Sequence, residues 1–341
     1  MNDESGRNLR GGYTTQQAPK PSKLRWGLTV ATLMLRNPGA FKKLVMMGPD
    51  EPRYVRPMRA YELPECRERM RRCTSNEKYL RPTRWCNPRE PFVVAMAHEL
   101  GADELSDWKF ADAAYWWVKT NIESELLPLD SVSATLQRGT GTCMHATSLW
   151  VALCRAAGIK ARYKEFKTMM NDVAMRLDVV DLMDLGENEQ AMIPSALNTE
   201  TAVLEGEACI DGRWVVADVG DRLELFAQYG APILKLGEDA MDLVVTAIPG
   251  TMVKHLESVP LMSGITLRAA CWFAPVMMER ANVIHSAPLG RQIIEEAGGI
   301  EAYDQKARRK RGKLVVTEDI TEEITRLTKD AEHKQLVVFK E

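Results

Sequence analysis

Apolar residues follow two different periods along this chain. From Ala146 they recur at Leu149, Trp150, Leu153 and Ala157, the spacing of one helix face, and the run stops at Gly158, a natural helix end. A shorter helical face, Phe110, Ala113, Ala114 and Trp117, comes before it. Between Thr201 and Ile210 the period becomes two. Ala202, Leu204, Gly206, Ala208 and Ile210 share one face, and Thr201, Val203, Glu205, Glu207 and Cys209 share the other. Asp211-Gly212 separates this run from a second alternating one, which predicts a tight β-hairpin.

The long helix begins where a flexible turn, Gly139-Thr140-Gly141-Thr142, delivers Cys143. A cysteine in the first helical turn faces the N–H groups and positive dipole end of the helix. Both favour the thiolate, the reactive form. Cys143 is therefore a candidate nucleophile.

The stretch Gly-Thr-Cys-Met-His-Ala-Thr-Ser-Leu-Trp-Val-Ala-Leu-Cys-Arg-Ala-Ala-Gly-Ile-Lys-Ala-Arg-Tyr, residues 141–163, resembles the transglutaminase-like superfamily of papain-type thiol enzymes. In that family a G-x-C start opens the nucleophile helix, and L-x-R-A-x-G-I-x-A-R-Y runs into the first core strand. Leu153, Arg155, Ala156, Gly158, Ile159, Ala161, Arg162 and Tyr163 fall in place. Glu207 to Asp218, turning at Asp-Gly, is similar to the family's second block. The resemblance covers roughly residues 75 to 225. It implies an α+β core in which a nucleophile helix packs on an antiparallel sheet, with N- and C-terminal extensions. It also implies Cys143 as nucleophile and Asp218 as the carboxylate that orients a histidine. Val203 occupies the position of that histidine, fifteen residues before Asp218.

A thiol that cleaves an amide needs a proton acceptor and later a donor. His145 is a candidate, although residues two apart on a helix point to different sides; His98, His255 and His285 are distant in sequence. Glu205 is another candidate base, on the strand face expected to look at Cys143. Gln137, six residues before Cys143, is a candidate oxyanion donor. The implied reaction is peptidase or amidase chemistry, or acyl transfer to an amine, on a peptide or other acyl substrate. The alternative is a catalytically inactive binding or scaffolding module that keeps the fold.

Composition changes this picture little. The 341 residues, 45% hydrophobic and 27% charged, suit a globular protein. Seven cysteines without paired spacing argue against a disulfide framework and for a reducing, cytoplasmic setting. No zinc spacing, phosphate-binding glycine loop or EF-hand pattern occurs, so neither metal nor cofactor is expected.

Charge is distributed unevenly. Residues 1–86 carry 18 Lys or Arg against 8 Asp or Glu, whereas the remainder carries 27 against 39. A basic front end suits an acidic protein partner, a membrane surface or the acidic remainder of its own chain; no nucleic-acid module accompanies it. The expected organisation is a disordered tail over 1–23, a basic, partly amphipathic helical extension over 24–74, the core over 75–250, and a helical or mixed extension over 251–341. Within the last, Ala270 to Met278 and Ile293 to Asp304 read as helices packed on the core, ahead of a basic run from Lys306 to Arg311.

Overall fold

Asp211 and Gly212 adopt positive φ (51° and 76°), the conformation a two-residue hairpin requires, and the chain reverses there as expected. The computed structural model describes residues 35, 36, 42, 46–66, 75–169, 200–220, 222–228, 230–239, 253–286 and 288–310. The expected tail over 1–23, most of the 24–45 stretch, residues 170–199 and the segment after Lys310 lie outside these residues.

Among the elements described in full, four helices and two short strands precede the sheet. These are α1 (Pro91–Glu99), α2 (Asp107–Asn121), β1 (Glu123–Ser124), α3 (Val132–Arg138), β2 (Thr140–Gly141) and α4 (Cys143–Ala156). Next come β3 (Ala161–Met169), β4 (Glu200–Ile210), β5 (Arg213–Ala217), α5 (Leu223–Gln228) and β6 (Lys254–Leu256). The described chain closes with α6 (Leu261–Phe273), α7 (Pro275–His285), α8 (Pro288–Glu296) and α9 (Ile300–Lys310).

The sheet is antiparallel, in the order β5-β4-β3-β6. Its edge strand β6 comes from beyond residue 250, so the core does not end where the sequence suggested. Helix α4 is the centre of the fold. Residues from His145 to Arg155 are all buried, because α1, α2 and α3 cover one side and the sheet covers the other. It ends as its glycine predicts. Gly158 sits at φ +88°, with Gly158 N–H bonded to the Arg155 carbonyl and Ile159 N–H to that of Cys154, the Schellman pattern.

Trp150 fills the space between α4 and β4. A β-carbon on Gly206 would come within 2.6 Å of its ring, so only glycine lets the helix approach this closely. The Trp150 indole N–H donates to the Ala111 carbonyl at 3.1 Å, fastening α2 to the same helix. Arg155 is fully buried. Its guanidinium donates to the carbonyls of Ala161 (3.0 Å), Arg81 (3.0 Å) and Glu257 (2.7 Å), which satisfies a charge that burial would otherwise penalise.

Three expectations need correction. The buried stripe of α2 is Phe110, Ala111, Ala114, Tyr115 and Val118, while Ala113 and Trp117 lie at its margin. Trp117 packs instead on Tyr61 of the N-terminal segment. Over residues 46–66 that segment is extended chain and turns, because Pro49, Pro52, Pro57 and Pro64 lack the amide that a helix interior uses, whereas Leu35, Arg36 and Lys42, earlier in the same expected extension, are helical. Finally, Ile293 to Asp304 is two helices, broken at Gly298 and Gly299, whose φ values are 89° and 113°.

Candidate active site

Cys143 is the first residue of α4 and its side chain is exposed, although the residues on either side of its helix turn are buried. Thr142 is the N-cap, with extended backbone (φ −75°, ψ 171°). The entry is pinned by β1 and β2, a parallel pair in which Ser124 lies opposite Gly141. Glu125 continues the pairing through its N–H to the Gly141 carbonyl at 2.8 Å. Its buried carboxylate accepts from the Thr140 hydroxyl and from Arg56 at 2.7 Å.

His145 is not a base for Cys143. Its ring is buried and turned back on the N-cap, where Nδ1 accepts the Thr142 N–H at 3.1 Å and lies 2.8 Å from the Thr142 hydroxyl. This is a capping box with histidine in the role usually held by glutamate. With Nδ1 accepting, the neutral ring carries its proton on Nε2, facing Asp130 Oδ1 at 3.2 Å. We prefer this tautomer to one in which Nε2 accepts the longer Asp130 N–H bond at 3.3 Å, which would set a lone pair against the carboxylate. Burial pushes the Asp130 carboxyl upward, but hydrogen bonds from His145 and Arg138 outweigh it and hold the pKa at about 2. Gly141 makes room for this ring: a β-carbon there would fall 2.5 Å from His145 Cβ.

Asp218 follows the last residue of β5 and does approach Cys143, across Gly220. A β-carbon built on Gly220 would lie 2.8 Å from Cys143 Cβ and 3.5 Å from Asp218 Oδ1. The same carboxylate oxygen accepts the Gly220 N–H at 3.1 Å. The Asp218 main chain is fixed from below by Lys119, buried on α2, whose ammonium donates to the Asp218 carbonyl at 2.7 Å and sits 4.4 Å from the centre of the Phe226 ring.

The other expected residues are not gathered there. Val203 is half-buried on β4, opposite Phe166. The sheet face packed on α4 is the apolar one: Gly206 meets Trp150, Tyr163 bonds Ser148 at 3.1 Å, and Leu204 and Ala208 join that core. The carboxylate-bearing face is therefore the opposite one, which corrects the expectation that it looks at Cys143. Glu205, opposite Lys164, accepts from its ammonium at 3.0 Å, and Lys164 also bonds Asp239. Burial pushes the Glu205 carboxyl well up; Asp239 and Asp218 add to the rise and Lys164 opposes it. Glu207 pairs with Arg162 at 2.6 Å and with His255 Nδ1 at 2.9 Å. Gln137 is exposed on the last turn of α3, where its carbonyl accepts from Arg59 at 2.7 Å.

The four described imidazoles all have partners. His98 faces Asp103 at 2.5 Å, His145 the N-cap, His255 Glu207, and His285 the Ser124 hydroxyl at 3.1 Å. His285 is buried with no hydrogen-bond partner for Nε2, and burial lowers its pKa to about 4. Among the described residues, no group of three or more His, Cys, Asp or Glu is arranged to hold a metal ion.

Sequence reasoning missed Lys119, Glu125 and Arg56, which fix the main chain on both sides of Cys143. Lys119 did carry a signal: it is a lysine one residue from Val118 on the buried side of an apolar helix.

Comparison with known proteins agrees with the resemblance. Residues 94–219 match the family model described as the transglutaminase-like superfamily, and the described residues there combine helices with an antiparallel sheet, the mixed architecture the resemblance implies. Among solved structures, a protein from Cytophaga hutchinsonii described as a "Putative Cysteine Protease" aligns with 20% identity and a TM-score of 0.31. The alignment covers 52% of this chain and 54% of that one, about half the length of each. No curated protein matches the chain significantly.

Proposed function

We propose that the transglutaminase-like domain carries out thiol chemistry on an amide or acyl carbonyl, with Cys143 as the nucleophile. The observation that carries this reading is the exposed Cys143 thiol at the first position of a buried helix, with the Asp218 carboxylate beside it across Gly220. The Cys143 sulfur attacks the carbonyl carbon, and the tetrahedral oxyanion is held by the amide of the first helical residue, outside the i→i−4 ladder. Solvent water takes the proton the thiol loses and returns one to the nitrogen as the carbon–nitrogen bond breaks, and the thioester passes its acyl group to water or to an amine. The helix terminus supplies thiolate character that a histidine supplies elsewhere. In this reading Glu205 remains a partner of Lys164, and Gln137 takes no part.

The test is intact-mass analysis after incubation with a glutamine-containing peptide, with and without a primary amine. The expected result is an acyl adduct on Cys143 that disappears in Cys143→Ala, with amine-modified peptide if the acceptor is an amine. A second reading, a binding module without turnover, is favoured by Val203 at the histidine position and by the four occupied imidazoles. It expects no adduct, no product, and peptide binding unchanged by Cys143→Ala.

A further inference from the structure

The sheet face turned away from α4 carries a row of charges that the thiol chemistry has not used. Lys164 of β3 lies opposite Glu205 of β4, and His255 of β6 lies opposite Lys164 on its other side. The row continues to Asp218. Gly206 pairs with Ala217 at the end of the β4–β5 ladder, so the next positions outward, Glu205 and Asp218, stand opposite one another in the same register. Asp218 therefore belongs both to this row and to the start of α4, where it lies beside Cys143 across Gly220.

Charge in the row does not balance if every acid is ionised. The Lys164 ammonium bonds both Glu205 and Asp239, one cation for two carboxylates. The Glu205 side chain is 1% exposed and that of Asp239 is 26% exposed, so negative charge is far cheaper at Asp239. Burial pushes the Glu205 carboxyl up and the charges of Asp239 and Asp218 push it further, in agreement with this division. Lys164 and Asp239 then form a neutral pair, and Glu205 keeps its proton.

The surrounding groups have partners of their own. From α2, Lys119 donates to the Asp218 carbonyl, where its charge offsets that of Asp218, and the Tyr115 hydroxyl donates to the Leu234 carbonyl. Further along the face, Arg162 and His255 both bond Glu207, and Glu238 pairs with Arg308.

We infer that Glu205 is a positioning residue for the proposed reaction: from the far side of the sheet it sets the charge around Asp218, and through Asp218 the ionisation of Cys143. The inference rests on Cys143 and Asp218 working as a pair. While Glu205 is neutral, Asp218 is the one negative member of the row next to the thiol, and the helix terminus favours the thiolate. When Glu205 gives its proton to solvent, a second negative charge faces Asp218 and opposes the thiolate as well.

The experiment is the pH profile of Cys143 alkylation by iodoacetamide in the full chain, read on the Cys143 peptide by mass spectrometry. Glu205→Gln keeps the shape and the acceptor for Lys164 but cannot ionise. Its midpoint is expected about half a unit below the parent's, roughly threefold faster alkylation at a fixed pH under the midpoint. Asp239→Asn, at a partly exposed site, leaves Lys164 to Glu205 alone and moves the negative charge one carboxylate closer to Asp218. Its midpoint is expected to rise by about the same amount. A merely structural role would not move the two variants in opposite directions. If Glu205→Gln fails to fold, Asp239→Asn carries the test. Midpoints unchanged from the parent, or moved the same way in both variants, would overturn the inference. Alkylation reads the thiol itself, so a failure to turn over peptide would sink the proposed reaction and leave this result standing. Unmoved midpoints in a protein that still forms the acyl adduct would sink the inference alone.

Discussion

Gly220 and Cys143 are in contact, and nothing larger than a hydrogen fits between them. A β-carbon on Gly220 would lie 2.8 Å from Cys143 Cβ, closer than real carbon atoms approach, and 3.5 Å from Asp218 Oδ1. Gly220→Ala is therefore expected to push the nucleophile away from its carboxylate. Alkylation of Cys143 by iodoacetamide should slow by about tenfold, about 1.4 kcal/mol of barrier, and the overpacking should cost about 1–3 kcal/mol of stability in urea unfolding. Equal rates in the variant and parent would separate Asp218 from the thiol's reactivity.

His145→Ala removes the ring that closes the N-terminus of α4 and bridges Thr142 to Asp130. The expected loss is about 2 kcal/mol of stability or more, combining a lost cap with a small cavity, as read in urea unfolding. Because the ring serves the helix start and not the sulfur, the pH profile of Cys143 alkylation in the folded variant should keep the parent's shape. A shifted profile would instead make His145 a participant in thiol ionisation.

Lys119→Met keeps the aliphatic length but removes the donor to the Asp218 carbonyl. Loss of a hydrogen bond to a buried carbonyl is expected to cost about 1–3 kcal/mol. If Lys119 positions Asp218, thiol reactivity should fall too, and Lys119→Arg should restore only part of it.

The buried imidazole of His285 gives stability a pH dependence. Its pKa is lowered from 6.5 to about 4 in the folded protein, so the unfolded chain binds the proton more readily. Its contribution is complete above about pH 6.5 and is lost progressively as pH falls towards 4. The size is on the order of 3 kcal/mol, from about 1.4 kcal/mol per unit. Unfolding free energies at pH 7, 6 and 5 should therefore decline less steeply in His285→Gln than in the parent.

The local architecture was readable in the sequence because its causes are local. Gly158 ends α4, Asp211-Gly212 turns the hairpin, and Cys143 begins the helix, each through its own backbone or its immediate neighbours. The strand faces were separable too, since alternation divides Glu205 and Glu207 from Leu204, Gly206 and Ala208. Gly206, and not the family position held by Val203, marks the face that meets the helix. Gly206 stands between Leu204 and Ala208, and an all-apolar face containing a glycine is one that a neighbouring backbone or ring approaches closely.

The supports of the site were harder to see. Arg56 meets Glu125 and Arg59 meets Gln137 across 69 and 78 residues. A guanidinium on an extended, Pro-rich segment has no periodicity to betray its partner. The Lys164, Glu205 and Asp239 cluster is similar, since only folding brings Asp239 to the strand pair.

Arg155 also bears on the order in which the chain assembles. Its guanidinium reaches back to the carbonyl of Arg81 and forward to that of Glu257, 74 and 102 residues away. A chain emerging from the ribosome thus completes the helix that bears the nucleophile well before it supplies the last oxygen for the arginine at that helix's other end. A chain cut short before residue 257 would leave this buried cation one acceptor short, so truncation there is expected to cost stability at the helix end remote from Cys143, as read in urea unfolding.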